Sequence, residues 1–307
     1  MPVRLSRPFR APVASMRAGL MGLERERALF DLICAAGELA YRLPDTDVRL
    51  KCVAGSKDPR RRLAREARRL SPRSRARGSG LWARAERRLA QALEDALVAR
   101  GDGDLQPLRV LLAYAPTALA PDCVVPREGL QRAAWDTLIR LFGHMHPTRV
   151  RRVAALPHVG EDLLARLRRE AAPGLRRGRA SSGRRPGPNG RALAVDPSLM
   201  VLVGKALGRR LKPGYKARYL YYVKPGDHLW PHADDPNYAV NFLLCLDKRL
   251  PPRAATGSAL LAYRPGGKAD RHELDAGCAV AMEAGVVHAR EPLKAGERLV
   301  LLSILYA

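Results

Sequence analysis

Residues 218–234 run RYLYYVKPGDHLWPHAD. Arg218 to Val223 is dense in β-formers and stops at Lys224-Pro225-Gly226, a turn signal, so the stretch reads as a strand followed by a reversal. Beyond the turn lie His232 and Asp234, two positions apart. On an extended segment their side chains point to the same side and can share one ion. The pattern continues to the C-terminus. Tyr238 to Leu246 reads as a strand, and so does Ser258 to Tyr263, closed by Arg264-Pro265-Gly266-Gly267. Cys278 to Glu283 leads to a turn at Gly285, then Val286-Val287-His288. Lys294-Ala295-Gly296-Glu297 turns the chain into a last strand, Arg298 to Tyr306. Short strands with regular Gly/Pro punctuation predict a sandwich or jelly roll.

A jelly roll brings a distant strand opposite the first pair, so His288 is the third candidate ligand. Two imidazoles and a carboxylate on one side of a metal leave the opposite face open, the set that suits non-haem Fe(II). A His-x-Asp pair alone reads equally as a solvated turn. Arg298 shares strand parity with Val300, Leu302 and Ile304. A guanidinium opening an apolar face either finds an anionic partner or snorkels to water.

Together, His232-x-Asp234, His288 and Arg298 ten residues later resemble the Fe(II)/2-oxoglutarate-dependent oxygenase superfamily, most closely its prolyl-4-hydroxylase-like branch. The resemblance covers about residues 198 to 307. Gly257-Ser258-Ala259-Leu260 and the Pro292…Gly296…Arg298 turn also match that pattern. The resemblance implies Fe(II) on His232, Asp234 and His288, with O₂ and 2-oxoglutarate at the open face. It places the far carboxylate of 2-oxoglutarate on Arg298. Tyr222, ten residues before His232, is either a further cosubstrate contact or an ordinary strand aromatic. One departure is Val300, where relatives place a serine. Ser303 has the other parity, which leaves the second contact to the carboxylate unassigned. His228, His272 and Asp235 are weaker competitors for the metal.

The 307 residues carry 55 Lys+Arg against 30 Asp+Glu, a formal net charge of +25. Residues 201–307 hold 16 basic and 10 acidic side chains, so most of the excess lies in the first 200. Such charge attracts nucleic acid, phosphates or acidic partners. In Arg60 to Arg88 only Trp82 is interleaved, so base stacking has little support and a solvated helix face is favoured. The five cysteines are odd in number and widely spaced, which argues against a disulfide framework and for a cytoplasmic protein. No stretch reaches the roughly 18 apolar residues of a membrane helix; Val110 to Pro126 comes nearest.

Helices are expected over Glu24–Arg42, Leu81–Ala99, Pro126–Met145, Gly160–Ala172 and about Pro197–Arg210. Pro173 to Pro197, rich in Arg, Gly and Pro, reads as a linker. The expected fold is α+β: a helical, arginine-rich region over 1–190 that ends in this linker, then a double-stranded β-helix (jelly-roll) domain over 195–307. The expected function is hydroxylation of an unactivated C–H bond in an amino acid, peptide or related small molecule. Asp227, Trp230, Asn237, Tyr238 and Asn241 would line the pocket, with Lys248 to Thr256 at its rim. The alternative is a nucleic-acid-binding protein with a demethylating or inert jelly roll; a cupin-like metal protein would not need Arg298.

Overall fold

The computed structural model describes residues 5–42, 59–70, 79–99, 101–153, 156–157, 159–176, 184–213, 216–234, 238–251, 254–265 and 269–307. Among the described residues six helices come first: α1 (Arg7–Gly19), α2 (Glu24–Tyr41), α3 (Pro59–Leu70), α4 (Ser79–Ala99), α5 (Gly101–Leu119) and α6 (Gly129–Met145). The apolar spacing of α2 buries Leu29, Phe30, Leu32 and Ile33. A Cβ on its Gly37 would collide with the backbone carbonyl of Leu111, so glycine lets α2 and α5 cross closely. Leu111, Leu112, Ala115, Ala118, Leu119 and Ala120 of the Val110–Pro126 stretch belong to the core, whereas Val124 is exposed. No helix among the described residues is long and apolar enough to cross a membrane.

Strand β1 (Val150–Val153) follows, then α7 (Glu161–Arg176), α8 (Pro188–Ala194) and α9 (Pro197–Leu207). Asp196 caps α9 by accepting from the amides of Ser198 at 2.7 Å and Leu199 at 3.0 Å. Pro197 fills its first turn and Gly208, at φ 66°, ends it in the left-handed region. Eight strands complete the chain: β2 (Lys216–Tyr222), β3 (Leu229–His232), β4 (Val240–Arg249), β5 (Leu260–Tyr263), β6 (Ala269–His272), β7 (Ala279–Glu283), β8 (His288–Arg290) and β9 (Arg298–Tyr306). With β1 they form two antiparallel sheets among the described residues, a large one in the order β1-β7-β4-β9-β2 and a small one in the order β3-β8-β5-β6.

Three apolar clusters divide the molecule into layers. Tyr222, Leu243, Cys245, Leu260, Ala262, Met282, Leu299 and Leu301 come from both sheets and fill the space between them. On its outer side the large sheet packs Phe242, Leu244, Val300, Leu302 and Ile304 against Leu167, Leu193, Leu199 and Val203 of α7–α9. On the outer side of the small sheet, Ala233, Leu261, Tyr263, Val287 and Ala289 join the core of the N-terminal helices. Trp135 of α6, fully buried, meets the Tyr263 ring edge-on at 4.9 Å. The Tyr263 hydroxyl donates to the carbonyl of Cys123 at 3.0 Å.

The expected division at residues 190–195 does not separate helices from sheets. β1 is the edge strand of the large sheet, registered Val150↔Met282 to Val153↔Ala279. Within the expected linker, α7 runs through Pro173, and Arg184 pairs with Tyr219 of β2. Residues 177–183 of that linker lie outside the described residues.

Candidate metal centre

The His-x-Asp segment is held in place by its backbone. The Thr117 hydroxyl of α5 donates to the Pro231 carbonyl at 2.9 Å, and the Ala233 amide donates to the Ala113 carbonyl at 3.1 Å. The Asp234 amide donates to the Ala284 carbonyl at 3.2 Å. Ala233 turns into the helical core, so His232 and Asp234 face the other way. β3 pairs with β8 so that His232 lies opposite His288, with ring centroids 4.4 Å apart. The nitrogen and carboxylate oxygen atoms of His232, Asp234 and His288 then lie within 4.8 Å of one another.

Both histidines are fixed in one tautomer. Nδ1 of His232 lies 2.9 Å from the Trp230 carbonyl, and Nδ1 of His288 lies 2.9 Å from the Val286 carbonyl. A carbonyl only accepts, so each Nδ1 donates, and in the neutral ring each Nε2 then presents the lone pair that a metal-binding imidazole requires. Nε2 of His232 is 3.8 Å from Oδ1 of Asp234. Ligands about 2.0–2.2 Å from one ion stand roughly 3 Å apart at right angles, so the three groups form a slightly expanded version of such a set. The donor set therefore fits a divalent transition metal.

Asp234 is steadied from behind. Asn241 Nδ2 donates to its Oδ2 at 3.1 Å, and Asn241 Oδ1 accepts from the Ser303 hydroxyl at 3.0 Å. Ser303 thus faces the interior, on the parity of Leu299 and Leu301. Its role is to hold Asn241, which the sequence pattern did not suggest.

Arg298 does not join the interior. It has the parity of Val300 and Leu302, which face α7–α9, and its Nη2 lies 2.7 Å from Asp247 Oδ2. Its side chain is 41% exposed, so the partner expected from a cosubstrate is supplied by a neighbouring strand. Tyr222 does face inward and is buried. Burial pushes its hydroxyl up to about 12, opposed by the nearby Arg290 guanidinium, which sits 5.9 Å from the ring centre.

Arg290, which the sequence reading passed over, is 1% exposed. It lies two residues beyond His288 on β8 and, with Ala289 turned to the helices, shares the inner face. Its Nη2 donates to the Ser258 carbonyl at 2.9 Å and lies 3.2 Å from the Ser258 hydroxyl. Nε and Nη1 are buried without a partner. Burial pushes its pKa down, yet a guanidinium stays charged.

The other expected residues divide. Asp227 Oδ2 accepts from the amides of Val223 and Lys224 at 2.9 and 2.8 Å, a turn-building role. Trp230 is buried beside His228, ring centroids 5.6 Å apart. Nδ1 of His228 meets the Gly226 carbonyl at 2.8 Å, and neither His228 nor His272 belongs to the triad. Tyr238 lines a cavity of about 220 Å³ with His146, Arg209 and Glu283. On the expected rim, Lys248 is paired with Asp275 and Glu273. Asp235, Asn237, Pro252 and Arg253 lie outside the described residues.

No protein-family model matches the sequence, and no curated protein matches it. Among solved structures, the chain is similar to a Pseudomonas putida prolyl-4-hydroxylase, at 21% identity and a TM-score of 0.41, over 53% of this chain and 95% of that one. It is also similar to the epimerase SnoN from nogalamycin biosynthesis, solved with Fe3+, alpha ketoglutarate and nogalamycin RO (17% identity, TM-score 0.40, 54% of this chain and 82% of that one). A third is an oxidoreductase of the 2OG-Fe(II) oxygenase family from Burkholderia pseudomallei (16% identity, TM-score 0.33, 56% and 77%). The solved structures that this chain resembles over about half its length are 2-oxoglutarate–Fe(II) oxygenases, a prolyl-4-hydroxylase among them.

Proposed function

We propose that the chain is an Fe(II)- and 2-oxoglutarate-dependent oxygenase built on a jelly roll, with His232, Asp234 and His288 as the metal ligands. The observation that carries this reading is that a ring nitrogen of His232, a ring nitrogen of His288 and a carboxylate oxygen of Asp234 lie within 4.8 Å of one another while each Nδ1 is held by a backbone carbonyl. The strand order supports it: along the chain from β2, strands alternate between the two sheets except for the β5–β6 hairpin, as in a jelly roll. Bound Fe(II) would supply the redox chemistry that couples O₂ and the decarboxylation of 2-oxoglutarate to succinate with oxidation of an unactivated C–H bond.

The chain's own residues position and protect. The three ligands occupy one face and leave the other for cosubstrate and O₂. The carbonyls of Trp230 and Val286 keep the imidazoles aimed, and Asn241 keeps the carboxylate turned. Layers of helix on both outer faces keep water from the interior. Because Asp234 fills the third ligand position, hydroxylation is the expected outcome rather than halogen transfer. An amino acid, a peptide or a related small molecule is the substrate class, by resemblance to the prolyl-4-hydroxylase branch. The odd number and wide spacing of the five cysteines support a cytoplasmic location.

The test is succinate formation from 2-oxoglutarate under air with added Fe(II) and ascorbate, followed by a search for products 16 mass units heavier in peptide and amino-acid pools. Wild type should form succinate and Asp234→Ala should not. Equal succinate from both proteins would remove the triad from the chemistry.

A further inference from the structure

Arg290 is a buried cation whose hydrogen-bond partners are both neutral and leave two of its donors unused. Its neighbours use only Nη2, and they are a carbonyl and a hydroxyl of Ser258, both neutral. Nε and Nη1 have no acceptor among the described residues, and a buried donor without an acceptor is unfavourable, although Glu297 and Glu291 lie near enough to favour the charge. The nearby carboxylates are committed elsewhere. Glu297 accepts from the Ser258 amide and hydroxyl and from the Lys294 amide. Glu291 accepts from Arg271 and from the Ala259 amide. The other interior-facing cation on this side, Lys248, already has Asp275 at 3.2 Å.

We propose that Arg290, over the Tyr222 ring, takes the far carboxylate of the 2-oxo acid, in the place that the resemblance assigns to Arg298. The inference rests on the oxygenase reading and specifies its cosubstrate subsite. Position supports it. His288 and Arg290 share the inner face of β8 and are one strand repeat apart, about 6.7 Å. In 2-oxoglutarate the far carboxylate carbon lies three carbon–carbon bonds, about 4 Å when extended, beyond the keto carbon, so a molecule held at the triad carries its second charge past the metal ligands. The carboxylate supplies acceptors for the unmatched Nε and Nη1 donors, and the Tyr222 face steadies the guanidinium from the other side. Arg298 opens the other side of β9, where Asp247 already meets its Nη2, though its Nε too lacks an acceptor.

The test is equilibrium binding to the full-length chain loaded with Mn(II), which binds like Fe(II) without turnover. 2-Oxoglutarate is compared with 2-oxobutyrate, which keeps the chelating end and lacks the second carboxylate. Wild type should prefer 2-oxoglutarate by about 100-fold, as expected when a desolvated charge pair is made or lost. Arg290→Gln should abolish the preference while 2-oxobutyrate and Mn(II) binding stay within about twofold; Arg298→Gln should keep it. Arg290→Lys, a milder change if the glutamine variant does not fold, should lower 2-oxoglutarate affinity about tenfold because the ammonium lacks the planar reach. Preference retained in Arg290→Gln, or unchanged affinity in Arg290→Lys, overturns the assignment. A wild type that binds Mn(II) without any preference also overturns it and leaves the metal centre standing. A wild type that binds no Mn(II) overturns the oxygenase reading, and this inference with it.

Discussion

Asn241→Ala removes the group that ties Asp234 to the large sheet. Asn241 is 6% exposed, donates to Asp234 Oδ2 at 3.1 Å and accepts from Ser303 at 3.0 Å. Two effects follow. A hydrogen bond to a charged group contributes about 1.5–3 kcal/mol, but Asp234 is 13% exposed and recovers part of this from water, so a stability loss of about 1–2 kcal/mol is expected. The carboxylate is also free to rotate, and loss of such an outer partner lowers metal affinity by about 10–100-fold, or about 1.4–2.7 kcal/mol. Ser303→Ala breaks only the far end of the relay and keeps the Asp234 contact. Its effect on metal affinity should stay within about threefold. Mn(II) titration followed by electron paramagnetic resonance reads the affinity, and urea unfolding of the metal-free chain reads the stability. If Asn241→Ala binds Mn(II) within twofold of wild type, the relay does not position Asp234.

Two further outcomes test the layers. Trp135→Ala empties a fully buried site between α6 and the small sheet and should cost about 3–5 kcal/mol in urea unfolding, with helix and sheet signals lost in one transition; separate transitions would contradict a shared core. Burial, with Arg109 and Arg209 nearby, holds His146 below the usual histidine value of about 6.5. The unfolded chain therefore takes up its proton first as pH falls, and stability is lost as pH drops through about 6.5 toward the folded value. Wild type should lose more stability than His146→Gln between pH 8 and pH 5; parallel losses would refute the shift.

The triad was legible because its signal is local. His232-x-Asp234 has the two-residue period of a strand, and His288 ends a short apolar run after a turn. The same two-residue period puts Arg290 on the inner face with His288, whereas the resemblance points to Arg298 by its ten-residue offset. That offset fixes a strand but not a side. β9 is buried on both faces, against the opposite sheet through Leu299 and Leu301 and against helices through Val300 and Leu302, so hydrophobic alternation gives no inward direction. The domain boundary was obscured by β1, four residues long with Arg151 and Arg152 exposed at its centre, which has no apolar pattern to find. Arg184 and α8 were hidden in a Pro/Gly/Arg composition that reads as linker, although Glu170 fixes the start of α8 by accepting from the Asn189 amide at 2.9 Å.

The most direct test of the account is the stoichiometry and ligand dependence of metal binding by the purified full-length chain. Mn(II) binding should saturate at one ion per chain, and His232→Ala, Asp234→Ala and His288→Ala should each weaken it by at least about 100-fold while the folded circular dichroism spectrum persists. Mn(II) bound with unchanged affinity in any two of these variants would place the metal elsewhere and contradict the proposed centre.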